Sequence, residues 1–267
     1  MFFRRSIITI VFLFLFIAFA GVSAYGEISV EGELYRERTV TAGQRYEGAI
    51  TVSNNGDAKR KVKIYQTDYK THSSGEIVYG DPGNQPRSNA NWVEFERNEL
   101  QIAAGSKSSF RYEITVPDKE LSGSYWSTIM VEPVPEETNQ NQQGGTTLTQ
   151  TIRYCIKIVT NIEDTGSRKI NITGIDLSQT EGQIFLLVGV KNSGQRVLFP
   201  ETWAEIYGLK SGEKAGRFEG GRKHIFPGSS VSYSIPLSDI SKGSYQTQLV
   251  LDNGDENVWG AQFKINL

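Results

Sequence analysis

The feature that most constrains the fold is a period of two that recurs along nearly the whole chain, with almost no helical period beside it. Apolar and polar residues alternate over runs of five to eight, and clusters of Gly, Asn, Asp and Ser separate the runs. This pattern is typical of half-buried strands joined by turns. The chain is therefore predicted to be all-β, with antiparallel sheets packed as sandwiches.

Two halves of the sequence follow one design. "ITVSNNG" (residues 50–56) and "VGVKNSG" (residues 188–194) are each an alternating strand that ends in Asn-x-Gly, a turn signal because Asn and Gly tolerate positive φ. Each opens a similar series that continues through a Gly-Ser turn and a Gly-Ser-Tyr segment. We predict two tandem immunoglobulin-like sandwiches of about seven strands each, at residues 25–162 and 163–267, with the boundary near "EDTGSRK".

The amino terminus has the composition of a secretory signal peptide. Arg4 and Arg5 precede an apolar run, and the small residues "VSA" at positions 22–24 form a cleavage site, so residues 1–24 are predicted to be removed. The alternative is an uncleaved anchor, although the apolar run is shorter than the roughly 20 residues of a membrane span. No second apolar run follows. The mature chain is therefore expected in the periplasm or secreted, without a membrane span.

Charge and cysteine content exclude several classes of protein. The 28 basic and 30 acidic residues nearly balance, so nothing in the composition attracts nucleic acid. A single cysteine, Cys155, cannot form an internal disulfide, so the fold must be held by its core. Cys155 is expected to be a small buried hydrophobe, with an intermolecular disulfide as the alternative. We expect the free protein to be a monomer.

Motifs for catalysis are absent from the sequence. His72 and His224 lie in polar, turn-rich contexts that predict solvated imidazoles, and no nucleophile-elbow, zinc-protease, P-loop or C-x-x-C pattern occurs. The chain is predicted not to be an enzyme and to carry no cofactor. Asp252, Asp255 and Glu256 could supply oxygen ligands to calcium, but the Asp-Asn-Gly among them is also what a hairpin needs, and we favour the hairpin.

Two segments of the first half have no counterpart in the second. Residues 70–92 are rich in turn signals and are predicted to form a long excursion with at most one short hairpin. Residues 133–150 form a polar Gln/Asn/Gly loop that leads directly into "TIRYCIKIVTNI" at residues 151–162. That strand can be read as an ordinary sandwich strand or as an exposed edge that pairs with another chain.

The order of motifs over roughly residues 28–162 resembles the periplasmic chaperones of pilus and fimbria assembly. "LYRERTVTAGQRYEGAITVSNNG" is similar to their first two strands, and "NELQIAAGSKSSFRYEITVPDKELSGSYWSTIMVEPVP" to their Gly-Ser-basic turn, alternating strand and aromatic-rich strand. "IRYCIKIVTNI" stands where those chaperones have their edge strand. The resemblance implies two immunoglobulin-like domains and a protein that binds secreted or envelope subunits.

The resemblance also implies particular site residues. In that family the edge strand is lent to a pilus subunit, and two basic residues hold the subunit's terminal carboxylate; by motif these correspond to Arg38 and Lys157. The apolar residues Ile152, Tyr154 and Ile156 would contact the subunit or the core. The alternative is a structural or adhesive surface module that binds protein or glycan through loops at the sandwich ends.

Overall fold

The structure, a computed structural model, describes residues 27–135 and 151–267, and the predicted signal peptide and most of the 133–150 loop lie outside these ranges. Ten strands build the first sandwich: β1 (Ile28–Val30), β2 (Tyr35–Val40), β3 (Arg45–Asn54), β4 (Arg60–Thr71), β5 (Ile77–Gly80), β6 (Val93–Phe95), β7 (Glu99–Ile102), β8 (Lys107–Thr115), β9 (Gly123–Pro133) and β10 (Tyr154–Ile162). A single 3-10 turn, Ala90–Trp92, precedes β6.

The remaining strands build the second sandwich: β11 (Ile170–Thr180), β12 (Gln183–Asn192), β13 (Glu201–Gly208), β14 (Lys214–Arg222), β15 (Ser230–Leu237), β16 (Ser244–Asp252) and β17 (Val258–Asn266). The predicted all-β fold with two immunoglobulin-like sandwiches is confirmed, whereas the division at residues 162/163 stays a prediction. No helix in the described ranges is long and apolar enough to cross a membrane.

Each sandwich has two sheets. In the first, a 4-stranded sheet ordered β1-β3-β8-β6 faces a 6-stranded sheet ordered β2-β10-β9-β4-β5, in which β7 also pairs with β4. In the second, sheets ordered β11-β12-β15 and β14-β13-β16-β17 face each other. The first sandwich exceeds the predicted seven strands partly because the 70–92 excursion contributes β5, the one short hairpin that was expected there.

Alternation along the strands gives each sandwich its own core. In the first, fully buried residues such as Ile50, Phe110 and Ile114 of one sheet meet Ile129 and Ile158 of the other. In the second, the buried parities of β12, β13, β15 and β16 form a separate cluster. Burying such large apolar side chains contributes about 1.5–3 kcal/mol each, which is how a chain without a disulfide holds this fold.

The internal repeat extends to the hydrogen bonds of two asparagines. Asn54 and Asn192 end β3 and β12, both are buried, and each donates its side-chain amide to the carbonyl of the residue four positions on, Ala58 at 2.7 Å and Arg196 at 2.7 Å. Each also accepts the backbone N–H two residues on through its side-chain oxygen. The predicted Asn-x-Gly turns are therefore Asx turns, and each asparagine also donates to a carbonyl far along the chain, that of Ile102 for Asn54 and that of Ile225 for Asn192.

A third apolar cluster joins the sandwiches. Phe226 of the second sandwich packs against Tyr69, Trp126 and Val159 on the outer face of the larger sheet of the first. Trp126 is buried here while its neighbour Tyr125 packs into the inner core, so β9 is covered on both faces. Backbone bonds add to the contact, with the N–H of Ser124 donating to the carbonyl of Gln195 at 2.8 Å.

Candidate functional site

The strand β10 changes its pairing at Lys157. Antiparallel to β9 over its whole length, it is also parallel to β2 from Lys157 to Ile162, so this part is interior to the sheet. The predicted edge strand is therefore corrected: it begins at Tyr154 rather than at residue 151, and only its first residues, Tyr154 to Ile156, lack a second neighbour among the described strands.

The cause is the crossing of the chain between the sheets. β1 pairs with β3 in the smaller sheet, and after Gly32 at φ 82° the chain enters the larger sheet as β2. The hydrogen bonds between β10 and this part of the chain begin with the N–H of Lys157, which donates to the carbonyl of Leu34, just before β2, at 2.8 Å. The residues before β2 pair with β3 in the smaller sheet as β1, so they are not available to pair with the start of β10.

The uncovered backbone has a defined direction. Alternate residues of a strand turn their N–H and C=O to the same side. Because Lys157 turns its N–H toward Leu34, the backbone groups of Cys155 face that side too, and in the described chain they find no partner there. We call this stretch, Tyr154 to Ile156 together with the adjoining Arg153, the open edge.

The three apolar residues predicted to serve the edge differ in exposure. Ile156 is fully buried in the core, and Tyr154 is partly buried with its hydroxyl donating to the carbonyl of Ile28 at 3.0 Å. Ile152 is 41% exposed. All three side chains lie on the same face of the strand, but from Tyr154 onward that face is covered by the core of the sandwich. Ile152 is the member whose side chain remains open to a partner.

Arg38 and Lys157, the two predicted carboxylate-binding residues, are not brought together. In the parallel pair of β2 and β10, Lys157 lies opposite Tyr35 and Arg38 lies opposite Thr160. The two pairs are offset by three positions along the strands, an odd number, so the side chains of Lys157 and Arg38 project from opposite faces of the sheet. One carboxylate cannot contact both through the sheet.

The two basic side chains therefore have separate surroundings. The guanidinium of Arg38 lies 5.4 Å from the ring centroid of Tyr46 on the inner side. The ammonium of Lys157 lies 4.9 Å from the ring centroid of Tyr69 on the outer side, toward the second sandwich. Within residues 27–135 and 151–267 no carboxylate forms a salt bridge with Lys157. It is a cation that lies against the ring of Tyr69 at the end of the open edge.

Cys155 shares the outer face with Lys157. Its thiol is free and half-buried rather than a fully buried core group. Burial raises the pKa of the thiol, while contacts with Tyr79 and the ammonium of Lys157 act in the opposite direction. The thiol is therefore protonated at neutral pH and a poor nucleophile.

His224 corrects the prediction of a solvated imidazole. Its ring stacks between Tyr35 of β2, at 3.7 Å between centroids, and Phe199, at 3.9 Å, while the guanidinium of Arg222 covers Phe199 at 4.6 Å. Burial lowers the pKa of His224 to about 4, so the ring is neutral at pH 7. This aromatic column, Tyr35-His224-Phe199, connects the two sandwiches beside Lys157.

On the inner side, a groove of about 320 Å³ opens along β2 next to Arg38. Gly48 and Tyr112 are part of its lining, and the ring of Tyr112 packs so closely on Gly48 that any side chain at position 48 would collide with it. Arginine and glutamate side chains line the groove together: Glu33, Arg36, Glu37, Arg38 and Glu47. Charges of both signs give it no net attraction for an anion.

The acidic residues considered for calcium form a hairpin turn. β16 and β17 pair up to Asp252, whose carboxylate accepts the N–H of Gly254 at 2.8 Å, and the carboxylate of Asp255 accepts the N–H of Asn257 at 2.8 Å. Asp255 also lies 3.4 Å from Arg168. Across the part of the chain that the structure describes, no group of three or more His, Cys, Asp or Glu could hold a metal, Glu256 included.

Sequence reasoning missed the aromatic residues around Lys157. Tyr69 lies on β4 and Tyr79 on β5, within the 70–92 excursion, and Phe199 follows a turn in the second sandwich. Nothing local in the sequence distinguishes them from ordinary core aromatics. Their role depends on the contact between sandwiches, which only the folded chain establishes.

Comparisons with known proteins find likeness in fold without likeness in sequence. No family model matches the chain, and no curated protein matches it. Among solved structures, the class 5 fimbriae chaperone CfaA is 13% identical and covers 90% of this chain and 100% of its own, with a TM-score of 0.46. The E. coli chaperone DraB is 14% identical, covering 90% and 98%, with a TM-score of 0.42. The Pseudomonas aeruginosa CupB2 chaperone is 10% identical, covering 90% and 100%, with a TM-score of 0.41.

Proposed function

We propose that this chain is a non-enzymatic binding protein of the bacterial envelope that receives an extended segment of an exported client on the open edge of β10. One observation carries the proposal: β10 is paired on both sides from Lys157 onward and on one side before it. Unpaired N–H and C=O groups at a strand edge are a template for an added strand.

The energetics favour a short, oriented contact. Each backbone hydrogen bond gained from a client contributes about 0.5–1.5 kcal/mol, so the few groups of the open edge need added interactions to hold a client. Ile152, exposed beside the edge, supplies apolar surface. Lys157, without a described acidic partner, supplies charge at the point where the edge closes.

Lys157 is suited to a carboxylate of the client. A cation that lies against a tyrosine ring and partly out of water gains more from an ionic hydrogen bond than an exposed one does. Because Arg38 projects from the opposite face, it would contact a different group of the client, beside Tyr46. The proposed carboxylate site is therefore Lys157 alone.

The class of client follows from the sequence resemblance to pilus chaperones, which implies a secreted or pilus-type subunit. The predicted signal peptide implies that both proteins meet outside the cytoplasm, in the periplasm or beyond. A chain that lends an edge to such a subunit protects the subunit's own unpaired strand from aggregation until assembly. Protection of this kind needs no chemistry at the site.

A single proline substitution tests the backbone contact. Cys155→Pro removes an N–H that faces the open edge and leaves the β9 bonds intact, because those are made by the alternate residues. Cys155→Ala retains the N–H and is the matched control. The tagged mature protein and both variants are purified from the native envelope, and bound proteins are identified by mass spectrometry.

We expect Cys155→Ala, which keeps the N–H and loses only a half-buried thiol, to recover one partner in an amount similar to the native protein. Cys155→Pro should lose that partner by about tenfold or more, the effect of about 1.4 kcal/mol. Lys157→Ala should also weaken recovery. Thermal unfolding of each variant shows whether it is folded. Equal recovery with a folded Cys155→Pro would exclude strand addition at this edge.

A further inference from the structure

The strand β5 carries an unusual concentration of exposed apolar side chains. Ile77, Val78 and Tyr79 are consecutive and are 50%, 40% and 46% exposed. Among the strands that the structure describes, β5 pairs only with the end of β4, through residues Asp68 to Thr71, and no described strand covers its other edge. Soluble proteins seldom expose adjacent large apolar residues on an edge strand without a partner to cover them.

The side chains of β5 divide between two faces. Tyr79 lies opposite Tyr69 and Ile77 opposite Thr71, whereas Val78 lies opposite Lys70. Residues opposite each other in an antiparallel pair share a face. Ile77 and Tyr79 are therefore on the face of Tyr69, and Val78 is on the other face.

The face of Ile77 and Tyr79 is continuous with the open edge. The Tyr79 ring lies 5.8 Å from that of Tyr69, whose own ring lies under the ammonium of Lys157. The hydroxyl of Tyr79 and the thiol of Cys155 are close enough for each to shift the pKa of the other. An uninterrupted surface thus runs from the open edge, across Cys155 and Tyr79, to Ile77.

We propose that Ile77 and Tyr79 form a second contact surface for the same client, which presents apolar side chains to it. The inference rests on the proposed function. A strand added at residues 153–156 projects alternate side chains toward the outer face, where Cys155 and Tyr79 lie. The occupant is an apolar stretch of that client rather than an independent partner, because the two surfaces share Cys155 and Tyr79 without a gap.

Site-specific photo-crosslinking tests this continuity in the full-length protein. Benzoylphenylalanine is placed at one position at a time, at residue 153 in the open edge, at residue 77, and at residue 78 as the matched control on the opposite face. Cells are irradiated, and the adducts are purified through a tag on this chain and identified by mass spectrometry.

We expect the same protein to be crosslinked from positions 153 and 77 and not from position 78. An adduct from 153 with none from 77, or equal adducts from 77 and 78, would overturn the second surface and leave the proposed function standing. No adduct from 153 would overturn the proposed function and the inference together.

Binding by the purified pair gives a second measurement. Once the crosslinked partner is identified, its affinity for Ile77→Ser should fall about tenfold, because an isoleucine that the client would cover is replaced by a polar side chain. Val78→Ser should bind like the native protein. Both positions are exposed in the free protein, so neither substitution should impair folding. Equal affinities for the two variants would contradict the inference.

Discussion

Tyr35 of β2 stacks on His224 of the second sandwich, with 3.7 Å between ring centroids and 24° between ring planes. In the sheet, Tyr35 is also the residue opposite Lys157. The contact that joins the sandwiches and the position where the open edge closes are thus neighbours on one pair of strands.

The first prediction is that stability falls as pH drops toward the pKa of His224. The folded-state pKa, about 4, lies below the unfolded value of 6.5, so the unfolded chain binds the proton first. The stability is fully present above pH 6.5 and is lost progressively as pH falls to about 4. Full burial would make this loss about 3 kcal/mol, and the partial exposure of the ring reduces it to roughly 1–2 kcal/mol.

Urea unfolding between pH 7.5 and pH 4.5 measures this effect, with His224→Gln as the variant that cannot take the proton. The charged groups facing the ring are Glu37, which favours the imidazolium, and Lys157 and Arg222, which oppose it. Carboxyls with lowered pKa values titrate mainly below this window. If the native protein and His224→Gln lose stability in parallel over the window, the stacked imidazole is not the cause.

The second prediction concerns the equivalent asparagines of the two halves. Asn54→Ala and Asn192→Ala should each lower the free energy of unfolding by about 2–4 kcal/mol, because buried carbonyls lose their donor. Asn55→Ala is the control: Asn55 is exposed, and its side chain bonds only to Ser29 at 3.0 Å in the described chain. Its effect should stay within about 0.5 kcal/mol. Similar losses for Asn54 and Asn55 in urea titrations would argue against the Asx-turn role.

These asparagines show which features the sequence alone could predict. Period two, turn chemistry and the Asn-x-Gly repeat act over a few residues, so the all-β class and the paired turns follow from local rules. Register is different, because a shift of one residue reverses the face of every side chain in a strand. Motif matching could locate Arg38 and Lys157 along their strands, but it could not show that they project from opposite faces.

Contacts between sandwiches were also beyond local reasoning. His224 stands in a polar, turn-rich stretch that is typical of a solvated imidazole, yet Tyr35 and Phe199 enclose it from distant parts of the chain. The partial covering of β10 has the same origin. It depends on where the first strand crosses between sheets, near Gly32, and no pattern within residues 151–162 reports that crossing.

The third prediction is that the Cys155 thiol reacts slowly in the native state. Burial raises its pKa, so less thiolate is present at neutral pH than in an exposed cysteine. Alkylation by iodoacetamide at pH 7.5 should be about tenfold slower than in urea-unfolded protein, and mass spectrometry follows the rate. Tyr79→Phe removes the hydroxyl contact that opposes the rise, so it should slow the reaction further. A native rate equal to the unfolded rate would mean that the thiol is not shielded.

The fourth prediction concerns the close approach of the sandwiches at Gly123. This residue has φ 74°, and a Cβ on it would lie 2.2 Å from the carbonyl oxygen of Gln195 in the second sandwich. Gly123→Ala should therefore add backbone strain and push the two sandwiches apart at this contact, which lowers the free energy of unfolding by about 2–4 kcal/mol. Gly182→Ala is the matched control, since Gly182 has φ 82° and open space around its Cβ position, so it carries the strain of about 1 kcal/mol without the collision. Thermal and urea unfolding of both variants separate the effect of backbone strain from the effect of the collision with Gln195. Equal losses would show that the sandwiches can move apart at Gly123 without cost, and a larger loss in Gly123→Ala would show that this contact fixes their spacing.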